Sequence, residues 1–260
     1  MSLLFHLQKK VKRYLFNLSA AENKAYLAYY KYLYKPGKGT VAEFIDNYSK
    51  SKSPVTFLQI GANDGFIYDP IHKFIKRDNW RGIMLEPQPE VFNQFLIRLH
   101  SKRPEITVIN AALDVIDGTK TLYLPAISNE RWATGLASFN REVLVNKIKD
   151  GTLKRQALKQ GITLPEDENE LIASREIETI SPDTLLARFG DEKIDLLAVD
   201  TEGFDYEIIK MLDLSRIKPD IILYEEVNFD PATAAECRAY LERHGYSYRV
   251  ISKDVLAIRD

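Results

Sequence analysis

In VTFLQIGANDGF, residues 55–66, a short apolar run from Val55 to Ile60 ends directly on Gly61. An apolar run of this length without strict alternation is the pattern of a strand covered on both faces. A glycine at its end permits a tight turn and lets backbone approach a ligand closely. Ile67, Ile71, Phe74 and Ile75 follow and mark a helix. Strand, glycine turn and helix together open a doubly wound α/β sheet. Two phosphate-binding versions of that unit are excluded. Asn63 and Phe66 stand where the dinucleotide fingerprint needs its second and third glycines, and no Gly-Lys pair closes the loop.

The same texture continues downstream. Gly82–Leu85 reads as the second strand, and Val91, Phe92, Phe95, Leu96 and Leu99 form the helix after it. Ile106–Ala111 gives a third strand and Thr121–Leu124 a further short one. Residues 125–175 are irregular and charged, with at least one helix near 140–160. Ile194–Val199 and Ile221–Tyr224 are buried strands, each followed by a helix, the first presenting Ile208, Ile209 and Leu212 and the second Cys237. Tyr246–Ile251 and Val255–Ile258 close the chain as a hairpin turned by Ser252-Lys253-Asp254, which adds an antiparallel strand at one edge. The expected fold is therefore α/β, a doubly wound, mainly parallel, seven-stranded Rossmann-like sheet with helices on both faces. Right-handed crossovers bring the carboxyl ends of its parallel strands to one rim, where ligands bind.

Upstream of Ser51-Lys52-Ser53-Pro54 the pattern is helical. Leu4, Leu7, Val11, Leu15 and Leu18 share one face of a helix over residues 3–18, and Lys9, Lys10, Lys12 and Arg13 fall largely elsewhere. Tyr26, Tyr29, Tyr30 and Leu33 mark a second helix that Pro36-Gly37 ends, and Val41, Phe44, Ile45 and Tyr48 a third. Residues 1–53 are expected to be an accessory helical extension, and residues 54–260 the main domain. Residues 1–50 hold nine Lys or Arg and three Asp or Glu, so they carry about +6 and the remainder about −7. Either the apolar faces pack on the main domain or across a homodimer, or the segment approaches an anionic membrane or a lipid-linked glycan.

The bulk numbers limit the class. With 260 residues, 45% hydrophobic and 28% charged, the chain can fill and cover one large α/β domain. A formal net charge of −1 argues against a general nucleic-acid binder. The single cysteine, Cys237, excludes an internal disulfide or zinc-thiolate cluster and is expected to be a buried structural thiol. No apolar run is long enough to span a bilayer, and the first residues do not have the charge order of a secretory signal, so cytoplasmic residence is the expectation.

The second strand carries the discriminating residue. Glu86 follows Gly82-Ile83-Met84-Leu85, about 20 residues after the glycine loop, where an acid can accept hydrogen bonds from both hydroxyls of a ribose. A ribose acid without phosphate-binding glycines points to a nucleoside lacking a pyrophosphate, and S-adenosylmethionine fits. The glycine loop would face its amino-acid moiety. In Asn110-Ala111-Ala112-Leu113-Asp114, small residues such as Ala112 leave room for a flat adenine, and Asp114 could accept from its amino group.

The segments VTFLQIGANDGF, GIMLEPQPEVF, VINAALD and IDLLAVDTEGFDYEIIKML, in this order over roughly residues 54–229, resemble the FkbM-type methyltransferases. The resemblance implies methyl transfer from S-adenosylmethionine, usually to a hydroxyl of a sugar, polyketide or other metabolite. It also implies that Gly61, Ala62, Asn63, Asp64, Gly65 and Glu86 touch the cofactor. Gln59 departs from the family, many of whose members carry an acid there for the cofactor ammonium. Residues 1–50 and 125–175 are not explained by the resemblance.

The reacting end is expected where Ala198-Val199-Asp200-Thr201-Glu202-Gly203 and Tyr224-Glu225-Glu226-Val227-Asn228 meet. Structural ion pairing is one reading of these acids. In the functional reading Asp200 lies nearest the reacting sulfonium, supported by Glu202 and Glu226, and one of them takes the acceptor hydroxyl's proton. Alternatively Asp200, Glu226 and Asn228 hold Mg²⁺, which would acidify the hydroxyl. Asp-Thr-Glu-Gly is not the Asn/Asp-Pro-Pro-Tyr loop of amide-nitrogen methylation, which favours an oxygen acceptor. The four histidines lack metal-ligand spacing, and only His72 is placed near the rim, as a weak candidate base. Trp132 and Phe139 flank a segment that either covers the acceptor or simply packs. The expected function is O-methylation of a small molecule or glycan. The alternative is a non-catalytic nucleoside-binding module on the same fold.

Overall fold

Thr56–Ile60 forms β1, and all five residues are buried, as the unbroken apolar run requires. The computed structural model describes residues 3–260, with side chains from Leu7 onward except Glu168; Leu4 lies outside the described side chains. In chain order the other strands are β2 (Arg81–Leu85), β3 (Ile106–Ile109), β4 (Ala112–Leu113), β5 (Gly118–Pro125), β6 (Ile172–Ile180), β7 (Leu196–Val199), β8 (Ile221–Glu225), β9 (Tyr246–Ile251) and β10 (Asp254–Arg259). The described residues form a seven-stranded sheet in the order β3-β2-β1-β7-β8-β10-β9. β1 pairs in parallel with β2 (Leu58 beside Ile83) and with β7 (Leu58 beside Leu197). β10 runs antiparallel to both β8 and β9, so the reversed strand sits inside the edge and not at it.

Successive side chains of a strand point to opposite faces, and here both faces are apolar. Leu58, Ile83, Leu197 and Ile222 meet the helices Asp205–Leu212 and Pro231–Arg243 on one side. Phe57, Met84, Leu196 and Leu223 meet Val41, Ile45, Phe74 and Trp80 on the other. Trp80 is fully buried, and its indole N–H donates to Ser49 Oγ at 2.9 Å, so its burial leaves no polar group unpaired. Each such side chain contributes about 1.5–3 kcal/mol by leaving water.

The helix Val41–Lys52 belongs to this second layer. It buries Val41 and Ile45, and Lys52 pairs with Asp195 and Asp220 beneath the sheet. The helix Leu3–Ala20 touches the domain at fewer points. Phe16 packs edge-on to Phe66 and Phe95, Ser19 bonds His72, and the turn after it places Glu22 on Arg103. Leu7, Val11 and Leu15 are exposed, so their apolar face does not pack on the main domain.

Residues 125–175 are more ordered than their pattern suggests. They contain the helices Arg141–Lys149 and Thr152–Gln160, separated by Asp150-Gly151, and the start of β6. β6 is the middle of a second, three-stranded sheet, β4-β6-β5, paired antiparallel with β5 along its whole length. Cys237 is fully buried in the main core, and burial pushes its thiol up to about 11. No described helix is long and apolar enough to cross a membrane.

Candidate active site

The chain builds outward from β1 to β2 and β3, then returns to add β7 and β8 on the other side. The strand order therefore reverses between β1 and β7, the place where such sheets open a crevice at their carboxyl ends. Gly61 leaves β1 with φ +80°, and a Cβ there would lie 2.0 Å from the carbonyl oxygen of Asp200. Only glycine lets the two loops touch. The Asp200 N–H in turn donates to Ile60 O at 3.0 Å.

A cleft of about 640 Å³, including its open mouth, lies above this point. Gly61, Asn63 and Glu86 form one wall, Asp200, Thr201 and Glu202 another, and Ala111, Ala112 and Leu113 lie between β3 and β5. Glu86 accepts the N–H of Asn63 at 2.8 Å and of Gln88 at 2.9 Å, one on each oxygen. Burial pushes its carboxyl up to about 7, against the pull of these two donors. Each oxygen keeps a second lone pair for a ligand.

Opposite it sit two acids that no described cation pairs. Burial and then the neighbouring Glu225 carboxylate push Asp200 up to about 6. Burial, then Asp200 and Glu225, push Glu202 up to about 7. Their backbone is braced from below by Asp205, which is fully buried and accepts the N–H and hydroxyl of Thr201 and the N–H of Glu225. Asp205 thus ties the end of β7 to the end of β8. Glu202 accepts from Asn228 Nδ2 at 3.1 Å, and Asn228 Oδ1 accepts from Lys147 at 3.3 Å.

The segment flanked by Trp132 and Phe139 covers this cleft. Arg131, Thr134, Gly135, Ala137, Ser138 and Phe139 line it, whereas Trp132 does not. Gln88 Nε2 holds the segment by donating to Thr134 O at 2.9 Å, and Ser138 bridges to Tyr123 of β5. Arg131 is the cation among the lining residues, 4.0 Å from the Asp64 carboxylate, and its buried Nε–H has no hydrogen-bond partner.

Several residues expected at the site face elsewhere. Glu226 points to the other side of β8 from Glu225 and is held by Arg238 in a two-point ion pair. Period-two alternation is the reason, since Tyr224 and Glu226 share the face covered by the Cys237 helix. Glu225, whose charge reaches Asp200 and Glu202, pairs with Lys253 and does not line the cleft. Asp114 pairs with Lys120 at 2.8 Å, and Lys120 sits over the rings of Phe139 and Phe204. A Cβ on Gly65 would strike Leu96 and Leu99, so this glycine serves packing of the loop on the helix after β2. Ala62 is in the core, and Asp64 caps the turn by accepting from Phe66 and Ile67. Gln59 donates to Asp69 at 2.9 Å, below the cleft. His72 is buried against Ser19 and Phe66, and burial lowers it to about 3, so it stands away from the rim as a neutral structural residue.

Among the described residues no three acids, histidines or cysteines gather as a metal site. The set Asp200, Glu226 and Asn228 is not assembled, because Glu226 is spent on Arg238 and Asn228 on Glu202 and Lys147.

The family model described as the methyltransferase FkbM domain matches residues 59–248. The chain belongs to the FkbM methyltransferase family. No curated protein sequence matches it. Among solved structures, this FkbM chain resembles an FkbM methyltransferase from Methylobacillus flagellatus KT at 13% identity and a TM-score of 0.46, over 79% of this chain and 43% of that one. It also resembles an S-adenosylhomocysteine-complexed O-methyltransferase from Bacillus cereus, at 11% identity and a TM-score of 0.42, over 96% and 97% of the two chains. A methyltransferase from Podospora anserina is similar at 9% identity and a TM-score of 0.44, over 100% and 97%. The fold is the doubly wound, mainly parallel, seven-stranded α/β sheet with helices on both faces.

Proposed function

We propose that this chain transfers the methyl group of S-adenosylmethionine to a hydroxyl oxygen of a small molecule or glycan. The observation that carries this assignment is the pair Asp200 and Glu202, half-buried, not ion-paired among the described residues, and facing the same cleft as Gly61 and Glu86. Structural ion pairing accounts for Glu225 and Glu226 but leaves these two acids unexplained. Glu86 would accept the ribose hydroxyls through its free lone pairs, and Ala111 and Ala112 leave the space an adenine needs.

S-adenosylmethionine supplies an electrophilic methyl group and leaves as the neutral thioether. The protein holds the acceptor hydroxyl in line with the methyl and takes its proton, so that the new C–O bond forms as the C–S bond breaks. Asp200 is the proposed proton acceptor, its value of about 6 leaving it ionised yet basic near neutral pH. Glu202 adds negative charge beside the sulfonium, and the segment 131–139 excludes water.

Two measurements follow. Glu86→Ala should weaken S-adenosylmethionine binding by about 2–3 kcal/mol, if two ribose hydrogen bonds of about 1–1.5 kcal/mol are lost. It should also lower the melting temperature, because the Asn63 and Gln88 N–H groups lose their acceptor. Calorimetric titration of the folded variant checks the first point, and unchanged affinity would remove Glu86 from the site.

The second concerns pH. Asp200, Glu202 and Glu86 titrate at about 6, 7 and 7, and a cationic ligand favours their ionised forms. Affinity for S-adenosylmethionine should therefore rise as pH increases from about 5.5 to 8, with protons released on binding below about 7. Titrations in buffers of different ionisation enthalpy measure that release. A pH-independent affinity with no released protons contradicts the placement of Asp200 and Glu202 beside the sulfonium.

A further inference from the structure

The helix Leu3–Ala20 is amphipathic but turned inside out. Its contacts with the domain are few and partly polar. Among the described side chains they include Phe16, the Ser19 hydroxyl, Asn17 accepting from Arg98 at 3.4 Å, a Lys9–Glu130 ion pair at 3.0 Å and Lys12 over the Tyr68 ring at 5.0 Å. At about 100° per residue, Leu7, Val11, Tyr14, Leu15 and Leu18 fall within one arc of about 100°, turned away from Phe16. That arc faces solvent: Leu7 is 56%, Val11 47% and Tyr14 63% exposed. Exposed Lys10 lies about 40° beyond the Tyr14 edge of the arc, and exposed Arg13 lies farther round the helix, about 100° from that edge. A helix stabilised only by its own domain would bury the leucines and expose the lysines.

We propose that this outward face docks on an anionic lipid bilayer. Charge selects the bilayer over a second copy of the chain. Residues 1–50 carry about +6, so two copies meeting through this face would bring two basic segments together, with Lys10 at the edge of the contact. An anionic surface complements the same charges, while the remaining residues, at about −7, are repelled and kept facing away. Apolar side chains entering the headgroup boundary with lysine and arginine beside them are the pattern of an interfacial helix, and a tyrosine suits that depth.

Docking in this way would bring the cleft close to the membrane. Lys9 of the helix pairs with Glu130, the residue before Arg131 in the cleft wall, and Phe16 packs on Phe66 beside the glycine loop. A hydroxyl acceptor carried on a lipid would then reach the site from the bilayer surface. That last consequence rests on the proposed function; the docking itself does not.

Sedimentation of the full chain with vesicles tests it, using phosphatidylcholine mixed with phosphatidylglycerol against phosphatidylcholine alone. The double variants Leu7→Glu/Val11→Glu and Lys10→Glu/Arg13→Glu touch exposed side chains, and unchanged thermal melting shows that they fold. Binding to the anionic vesicles at low salt is expected, weakened at least about tenfold by either double variant and by high salt. No binding at low salt, or binding indifferent to both variants, overturns the proposal. Self-association of the wild type that Leu7→Glu/Val11→Glu abolishes also overturns it, since a second copy would then be the occupant.

Discussion

Asp200→Asn is expected to slow methyl transfer by about 10²–10⁴-fold, the range over which a positioned proton acceptor contributes. Asparagine keeps the shape of the side chain and cannot take a proton. S-adenosylmethionine affinity should change far less, because Glu86 and the glycine loop remain and Glu202 still faces the sulfonium. Single-turnover rates at saturating cofactor, paired with calorimetry, separate the two effects. A variant with normal single-turnover rate removes Asp200 from proton transfer. A variant that binds cofactor as weakly as Glu86→Ala assigns it to binding instead. Glu202→Gln should show a smaller loss, since Glu202 is tied to Asn228.

Gly61→Ala should have a large structural effect for a single added methyl group. The added Cβ would lie 2.0 Å from the Asp200 carbonyl oxygen, a backbone atom that cannot rotate aside. It would also occupy φ +80°, which costs an L-residue about 1–2 kcal/mol by itself. Gly245 supplies an internal control, for it has the same φ of +80° and a Cβ added there would meet no atom within 4 Å. Gly245→Ala should therefore lose only the strain. Gly61→Ala should lose several kcal/mol more and all measurable cofactor binding, because β1 and β7 must separate where the cleft is built. Chemical denaturation of the two variants under identical conditions reads the difference. Equal losses would show that the close approach of the two loops is unimportant.

The fold was legible because its central strands are buried on both faces. Val55–Ile60, Ile194–Val199 and Ile221–Tyr224 stand out as apolar runs, and their helices follow at the expected spacing. β6 was hidden for the opposite reason. Ile172–Ile180 carries Arg175, Glu176 and Glu178 and buries mainly its last residues, Ile177, Thr179 and Ile180, in a small second sheet. A half-exposed, charged strand paired only with β5 and β4 looks like loop.

The site was legible wherever a residue type is demanded by the backbone or by a strand end. Gly61, Asn63, Glu86, Ala112, Asp200 and Glu202 all line the cleft. Expecting Glu226 at the site overlooked an available signal, for alternation from buried Tyr224 places Glu226 under the Cys237 helix. Arg131 carried no such signal. It lies in the irregular covering segment, and only tertiary structure brings it to Asp64 and the cleft. Asp205 was visible as an acid but not as a brace, because its partners, Thr201 and the Glu225 N–H, come from two different strand ends.

The most direct test of the central claim uses S-adenosylmethionine labelled with ¹³C in its methyl group, incubated with the protein and a panel of hydroxylated metabolites and oligosaccharides. The expected result is a new ¹³C signal with the chemical shift of an O-methyl group, appearing in step with S-adenosylhomocysteine and lost in Asp200→Asn. A signal of an N-methyl group would contradict the oxygen acceptor. Tight S-adenosylmethionine binding with no methyl transfer to any member of the panel would favour a nucleoside-binding module over an enzyme.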